Sequence, residues 1–242
     1  MRTVSTFAGL LFVAVAQAAQ PTGPYVGALS VPAQGEYATI DTKPSVAAIR
    51  TLAATAGHEN DALVGSILQN AGAYNPPVLF ALAALLYRQN DIDGAIFWLN
   101  AARVRATFDA QRCTDLSARS AVDTLVRQMP HELIAAQFRS RDALIKSIDL
   151  VIRWDDATPV AYDPRWVALH GANAIRRGIG VTSSDQPLMI PAKKWPALKK
   201  AVHDEVRSGL LQAFDQYQAA TQGKPALPPS IPAVPNQPAS HR

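Results

Sequence analysis

The sequence predicts an all-α protein, an irregular stack of antiparallel helical hairpins. Three observations lead there. Apolar residues recur every three or four positions through most of residues 43–222, strand-like alternation is nearly absent, and Pro, Asn, Asp and Gly interrupt the stripes at helical lengths. The ends differ in character. The chain divides into an export signal at 1–18, an irregular arm at 19–42, one helical domain at 43–222 and a proline-rich tail at 223–242.

Arg2 supplies an N-terminal positive charge, an apolar run follows from Phe7 to Ala16, and Ala16-Gln17-Ala18 has the small-x-small pattern that signal peptidase cuts. Pro21, Thr22, Gly23 and Pro24 then break any helix. This is the pattern of a secretory signal peptide, and its apolar run is too short to span a bilayer. No cysteine stands at the junction to take a lipid, so the expected location is a bacterial periplasm, and no later stretch is apolar enough to cross a membrane. The arm that follows is rich in Pro, Gly and Ser, with an extended run expected at Tyr37 to Ile40.

Pro44 suits the first turn of a helix running to Ala56, and Asp61 to Asn70 carries Leu63, Val64, Ile67 and Leu68 on one face. Asn75 stands where a cap is needed, before Pro76 and Pro77 open a helix through Leu79, Leu82, Leu85 and Leu86. Asn90-Asp91 ends it, and the next helix starts near Asp93 and passes Arg105. Thr114 is the expected N-cap of a helix reaching Met129. On that helix Asp115, Arg119, Asp123 and Arg127 recur every four residues as a solvent face, with Leu116, Val122, Leu125, Val126 and Met129 turned inward. Pro130 permits a new start at His131, and Leu144, Ile145, Ile148, Val151 and Ile152 form a further stripe. The last helix spans about Pro196 to Thr221, presenting Leu198, Val202, Val206, Leu210, Phe214 and Tyr217. Beyond it, prolines 225, 228, 229, 232, 235 and 238 and the lack of any aromatic residue predict a disordered tail.

Residues 79–107 resemble one tetratricopeptide repeat. Leu79, Leu82, Ala83 and Leu86 fill the first-helix positions, Gln89 to Ile96 reads as the turn and second-helix opening, and Ala95, Leu99 and Ala102 follow at the expected spacing. Asn90 replaces the usual turn glycine and Thr107 the terminal proline, and no second copy is legible at a 34-residue offset. The resemblance implies helical hairpins stacked on one another and a surface that binds protein.

Chemistry is largely missing. The net charge of +4 is too small and scattered for nucleic acid. Cys113 is the one cysteine, so no intrachain disulfide can form, and it reads as a small buried apolar residue. His131-Glu132 opens like a zinc-protease helix, but Ala135 stands where the second imidazole belongs. Gly65-Ser66 lacks the glycine of a nucleophile elbow, and Gly178-Ile179-Gly180 lacks a preceding strand and third glycine. His203, Asp204 and Glu205 point to different sides of their helix and read as a mixed solvated face. Neither metal nor cofactor is implied.

The segment 153–177 stands out. It gathers Trp154, Asp155, Asp156, Tyr162, Asp163, Arg165, Trp166, His170, Asn173, Arg176 and Arg177 in a stretch punctuated by Pro159, Pro164 and Gly171. Aromatics, Arg and Asp on loops between helices are enriched where proteins bind one another, with Trp166 as a central anchor. The same residues also suit a cap on the core, with Asp and Arg pairing around the rings. Overall the chain is similar in kind to periplasmic immunity proteins of type VI secretion toxins, which implies a non-catalytic protein that sequesters a toxin. Two alternatives stand beside it: an envelope hydrolase or small-ligand protein using Asp155, Asp163 and His170, and an envelope adaptor whose tail makes the contact.

Overall fold

A computed structural model describes residues 32–181 and 186–221. The segments expected to be an export signal and a disordered tail, and most of the expected arm, lie outside the described residues. Among the described residues nine α-helices follow one another: α1 Lys43–Ala54, α2 Asp61–Gln69, α3 Pro76–Arg88, α4 Ile92–Arg112, α5 Ser120–Arg127, α6 His131–Ala136, α7 Arg141–Ala157, α8 Ala172–Gly178 and α9 Trp195–Thr221. The same described residues hold five short 3-10 turns, Gly35–Thr39 ahead of α1 and Ala71–Ala73, Leu116–Arg119, Pro164–His170 and Ala192–Lys194 between helices. Among the described residues there is no strand, only an isolated bridge between Cys113 and Met189. The fold is all-α. No described helix is long and apolar enough to cross a membrane.

The hairpin of α3 and α4 is the centre of the molecule. Pro76 and Pro77 occupy the first turn of α3, where the missing N–H groups would find no helical partner. Asn75 takes the cap position but its side chain caps nothing, and its Oδ1 is buried without a partner. Every residue from Pro76 to Leu86 is buried, so α3 is apolar all round and covered on all sides. Asn90 then adopts φ 64, the left-handed conformation that asparagine tolerates and that reverses the chain. Asp91 caps α4 through the Gly94 N–H at 3.0 Å. A side chain at Gly94 would put Cβ 2.2 Å from the Asp91 carboxylate, so the cap and the glycine belong together. With 21 residues, α4 runs about 30 Å. Its buried Ala95, Ala101, Ala102, Ala106 and Ala110 let neighbours approach closely, and α3, α5, α6, α7 and α9 all pack against it.

Four expectations are corrected. Tyr37 to Ile40 is not extended: the turn Gly35–Thr39 carries Tyr37 into the core, with Ile40 buried just after it. The helix expected from Thr114 is a 3-10 turn followed by α5, because the Asp115 side chain accepts from the Ser117 N–H and stops a regular start. Asp115 therefore lies off the charged stripe, and Leu116 is 64% exposed instead of buried. Leu68, placed on the core face of α2, is exposed as well. His203, assigned to a solvated face, is buried.

Candidate functional site

The principal polar constellation grows from one face of α4. Arg105, Asp109 and Arg112 recur at i, i+4 and i+7, so they stack along one line, and all three are buried. Charges in the interior need partners, and the candidate segment supplies them.

Arg105, 1% exposed, donates from Nε to Asp155 Oδ1 at 2.9 Å and from Nη2 to the Thr158 carbonyl at 2.6 Å. Its guanidinium also lies 4.2 Å from the Trp154 ring centroid. Trp154 in turn meets Trp98 and Phe97 edge to face at 5.3 and 5.9 Å between centroids. From the far side α9 closes on Asp155: His203 Nε2 pairs with Oδ2 at 2.9 Å, and Lys199 Nζ donates to the Asp155 backbone carbonyl at 2.8 Å. Burial works to raise the Asp155 carboxyl, but the His203 hydrogen bond and the charges of Lys199 and Arg105 outweigh it and hold the group below the usual carboxylate range.

Asp155, exposed Asp156 and His203 place three potential ligand atoms within 4.8 Å of one another, the spacing a divalent cation would need. Lys199 Nζ sits 3.2 Å from a carboxylate oxygen of each aspartate, so an ammonium already neutralises the pair. Arg105 adds a second positive charge on the same carboxylate. The donor set is that of a closed ion-pair network across α4, α7 and α9, and it does not favour a metal.

One turn along α4, Asp109 receives three donors. Trp166 Nε1 donates to Oδ2 at 2.6 Å, Tyr162 Oη to the same oxygen at 3.0 Å, and Arg112 to Oδ1. Burial pushes the Asp109 carboxyl up to about 6, against the pull of Arg112, Trp166 and Tyr162. Arg112 itself lies over the rings of Phe108 and Trp195, 4.4 and 4.5 Å from their centroids. Cys113 beside it is buried, and burial raises its thiol.

The rest of the segment turns outward. Asp163 caps the turn Pro164–His170 and is gripped in a fork by Arg165 Nε and Nη2 at 3.0 and 2.7 Å, which holds its carboxyl low. Arg165 reaches Thr39 Oγ1 at 3.2 Å, tying the turn Gly35–Thr39 to the domain. His170 is exposed and meets Trp166 edge to face. The Asn173 N–H donates to Asp115 Oδ2 at 2.8 Å and the Ala172 N–H to Ser117 Oγ at 2.7 Å, so the turn Leu116–Arg119 holds the first turn of α8. Arg176 is exposed on that helix.

Ten of the eleven residues thus separate, and the eleventh, Arg177, is half-buried near the end of α8. Trp154, Asp155, Tyr162 and Trp166 are bonded into the interior, with Trp166 only 3% exposed. Asp163, Arg165 and Asn173 are half-buried at the domain surface, the first two bonded to each other and Asn173 to Asp115. Asp156, His170 and Arg176 face outward. Asp155, Asp163 and His170, the trio a hydrolase would need, are not brought into one cluster: their partners are His203 with Arg105 and Lys199, Arg165, and Trp166 respectively.

Sequence reasoning missed Ile175, Ile179 and Val181. They lie in and just after α8, a helix that buries no residue, and all three are exposed. Their signal was a short run of aliphatics among arginines, with no apolar stripe long enough to be claimed by the core.

No family model, curated protein or solved structure matches this chain.

Proposed function

We propose that this is a non-catalytic protein-binding protein, exported to the periplasm and built on a tetratricopeptide-like stack of helical hairpins, whose docking surface is α8 with the turn that carries it. One observation supports the reading above all others. Ile179 at 63% exposure, Val181 and Ile175 stand open on α8 and its C-terminal turn, while Leu116 stands open on the turn bonded to the start of α8. Exposed aliphatics gathered on adjoining elements and rimmed by charge mark interaction sites on soluble proteins. The rim here is basic, with Arg119 and Arg176 exposed and the nearby Asp115 engaged by Ser117 and Asn173. A second copy docking face to face would set these arginines against one another. The surface suits a partner with apolar anchors in an acidic setting, as when an immunity protein covers the cleft of a toxin delivered by type VI secretion.

The test uses Ile179→Asp and Arg176→Glu beside the unaltered chain. The unaltered chain is expected to co-purify from periplasmic extract with one stoichiometric protein, identified by mass spectrometry. Each variant should lose it while unfolding at the same temperature. Recovery of no such protein, or equal retention by both variants, refutes the reading.

A further inference from the structure

On the side of α4 away from the Arg105–Asp109–Arg112 line stands an arginine with no counter-ion among the described residues. Arg103 is part-buried, and its bonds run only from Nη1: to Asn100 Oδ1 at 2.9 Å and, longer, to Gln137 Oε1 at 3.5 Å. No carboxylate lies within ion-pair distance of it among the described residues, unlike Arg105, Arg112, Arg141, Arg165 and Arg207, which each have one. Its Nε and Nη2 carry no partner among the described residues, leaving one edge of the guanidinium fork unused. Asn100 adds a second open donor. The residue is 1% exposed, its Oδ1 is taken by Arg103, and its Nδ2 is buried with no acceptor. Gln137 is buried, spends its Nε2 on the Ile134 carbonyl and so fixes its Oε1 against Arg103.

A buried amide without an acceptor is costly, and a half-buried guanidinium without a carboxylate leaves its donors open. Placed side by side, both deficits are relieved by the same group, one with two or more acceptor oxygens and negative charge. The guanidinium fork matches carboxylate and phosphate oxygens in pairs. We propose that Arg103 and Asn100, where α4 meets the end of α6, form a binding site for an oxyanion of carboxylate or phosphate type. Desolvation lowers the Arg103 guanidinium to about 10, so it stays charged at neutral pH and able to bind such a group. The site is independent of the α8 surface and does not rest on the protein-binding reading.

Isothermal titration of the full chain with inorganic phosphate and with succinate, against sodium chloride at matched ionic strength, tests it. Saturable binding of at least one of the two is expected, and the tighter of the two names the class, phosphoryl or carboxylate. Arg103→Met should weaken binding at least tenfold. Asn100→Asp provides a carboxylate within reach of Nη1; it should weaken anion binding at least tenfold too, while raising the unfolding temperature by giving the arginine a resident partner. It keeps the test decisive should the methionine variant fail to fold. Absence of saturable binding to the unaltered chain, or unchanged affinity in Asn100→Asp, overturns the proposal.

Discussion

Replacing Asp155 by alanine removes the acceptor on which Arg105, Lys199 and His203 converge. Arg105 is 1% exposed and keeps only the Thr158 carbonyl; its Nη1 already has no partner in the native protein. His203, also buried, loses its hydrogen bond, whereas Lys199 is exposed enough to turn to Asp156 or to water. The dominant cost is an uncompensated buried guanidinium, which sets the loss at about 3–5 kcal/mol. That is a large part of the roughly 5–15 kcal/mol that holds a domain together. Urea unfolding at pH 7 followed by far-UV circular dichroism measures it as a lower midpoint with unchanged slope. The double variant Arg105→Met/Asp155→Leu tests the cause, because it removes both charges and fills the volume with apolar atoms. It should recover at least half of the loss. A single-variant loss below about 1 kcal/mol, or a double variant as unstable as the sum of both singles, refutes the reasoning.

Other perturbations read different parts of the fold. Asp155, Asp163 and Asp115 are held below the ordinary carboxylate range when folded, so the stability they add is complete above about pH 4 and fades as acidification protonates them, visible as a falling urea midpoint. Asp109 has the opposite sign: raised to about 6, it favours the folded state below about pH 4 and that contribution is lost as pH rises through 6. Relative to Asp109→Asn, the unaltered chain should therefore lose roughly 3 kcal/mol between pH 4 and 7, and a constant difference across that range would contradict the assignment. Gly72→Ala would drive a Cβ to 2.4 Å from the Pro159 carbonyl, so the link between the turn Ala71–Ala73 and the end of α7 must shift, at about 1–3 kcal/mol in thermal unfolding. Cys113 should resist a thiol reagent in the native protein and react at once in urea, since it is buried with a raised pKa.

Helix positions were readable because prolines, Asn90 and the aliphatic stripes are local signals that tertiary packing did not override. Pro76-Pro77, Pro130 and the run from Leu198 to Tyr217 each fixed a helix within a few residues. The failures share a cause. His203 lies on α9 one turn from Lys199 and one from Arg207, a spacing common on solvated faces, and nothing local shows that Asp155, 48 residues away, waits opposite. Leu116 and Leu68 are aliphatic, yet composition does not say which apolar residues the core leaves outside. A usable clue was missed on α4, where Arg105, Asp109 and Arg112 share one line amid alanines and aliphatics with no polar face to belong to. In the segment 153–177 the residue types were recognisable as special, but only tertiary packing separates the rings bonded to α4 from the groups facing water.

The line of charges on α4 also governs alignment. Alanine-lined helices are smooth and slide easily past neighbours, because one methyl contact resembles the next. Moving α7 along α4 by a single turn, about 5.4 Å, would carry Asp155 away from Arg105 and strand both in a dry environment. Neighbouring registers that would be nearly degenerate for an all-aliphatic contact are thereby made costly. The three ionic residues act as a vernier that selects one seating of α7 and α9 from several of similar apolar area.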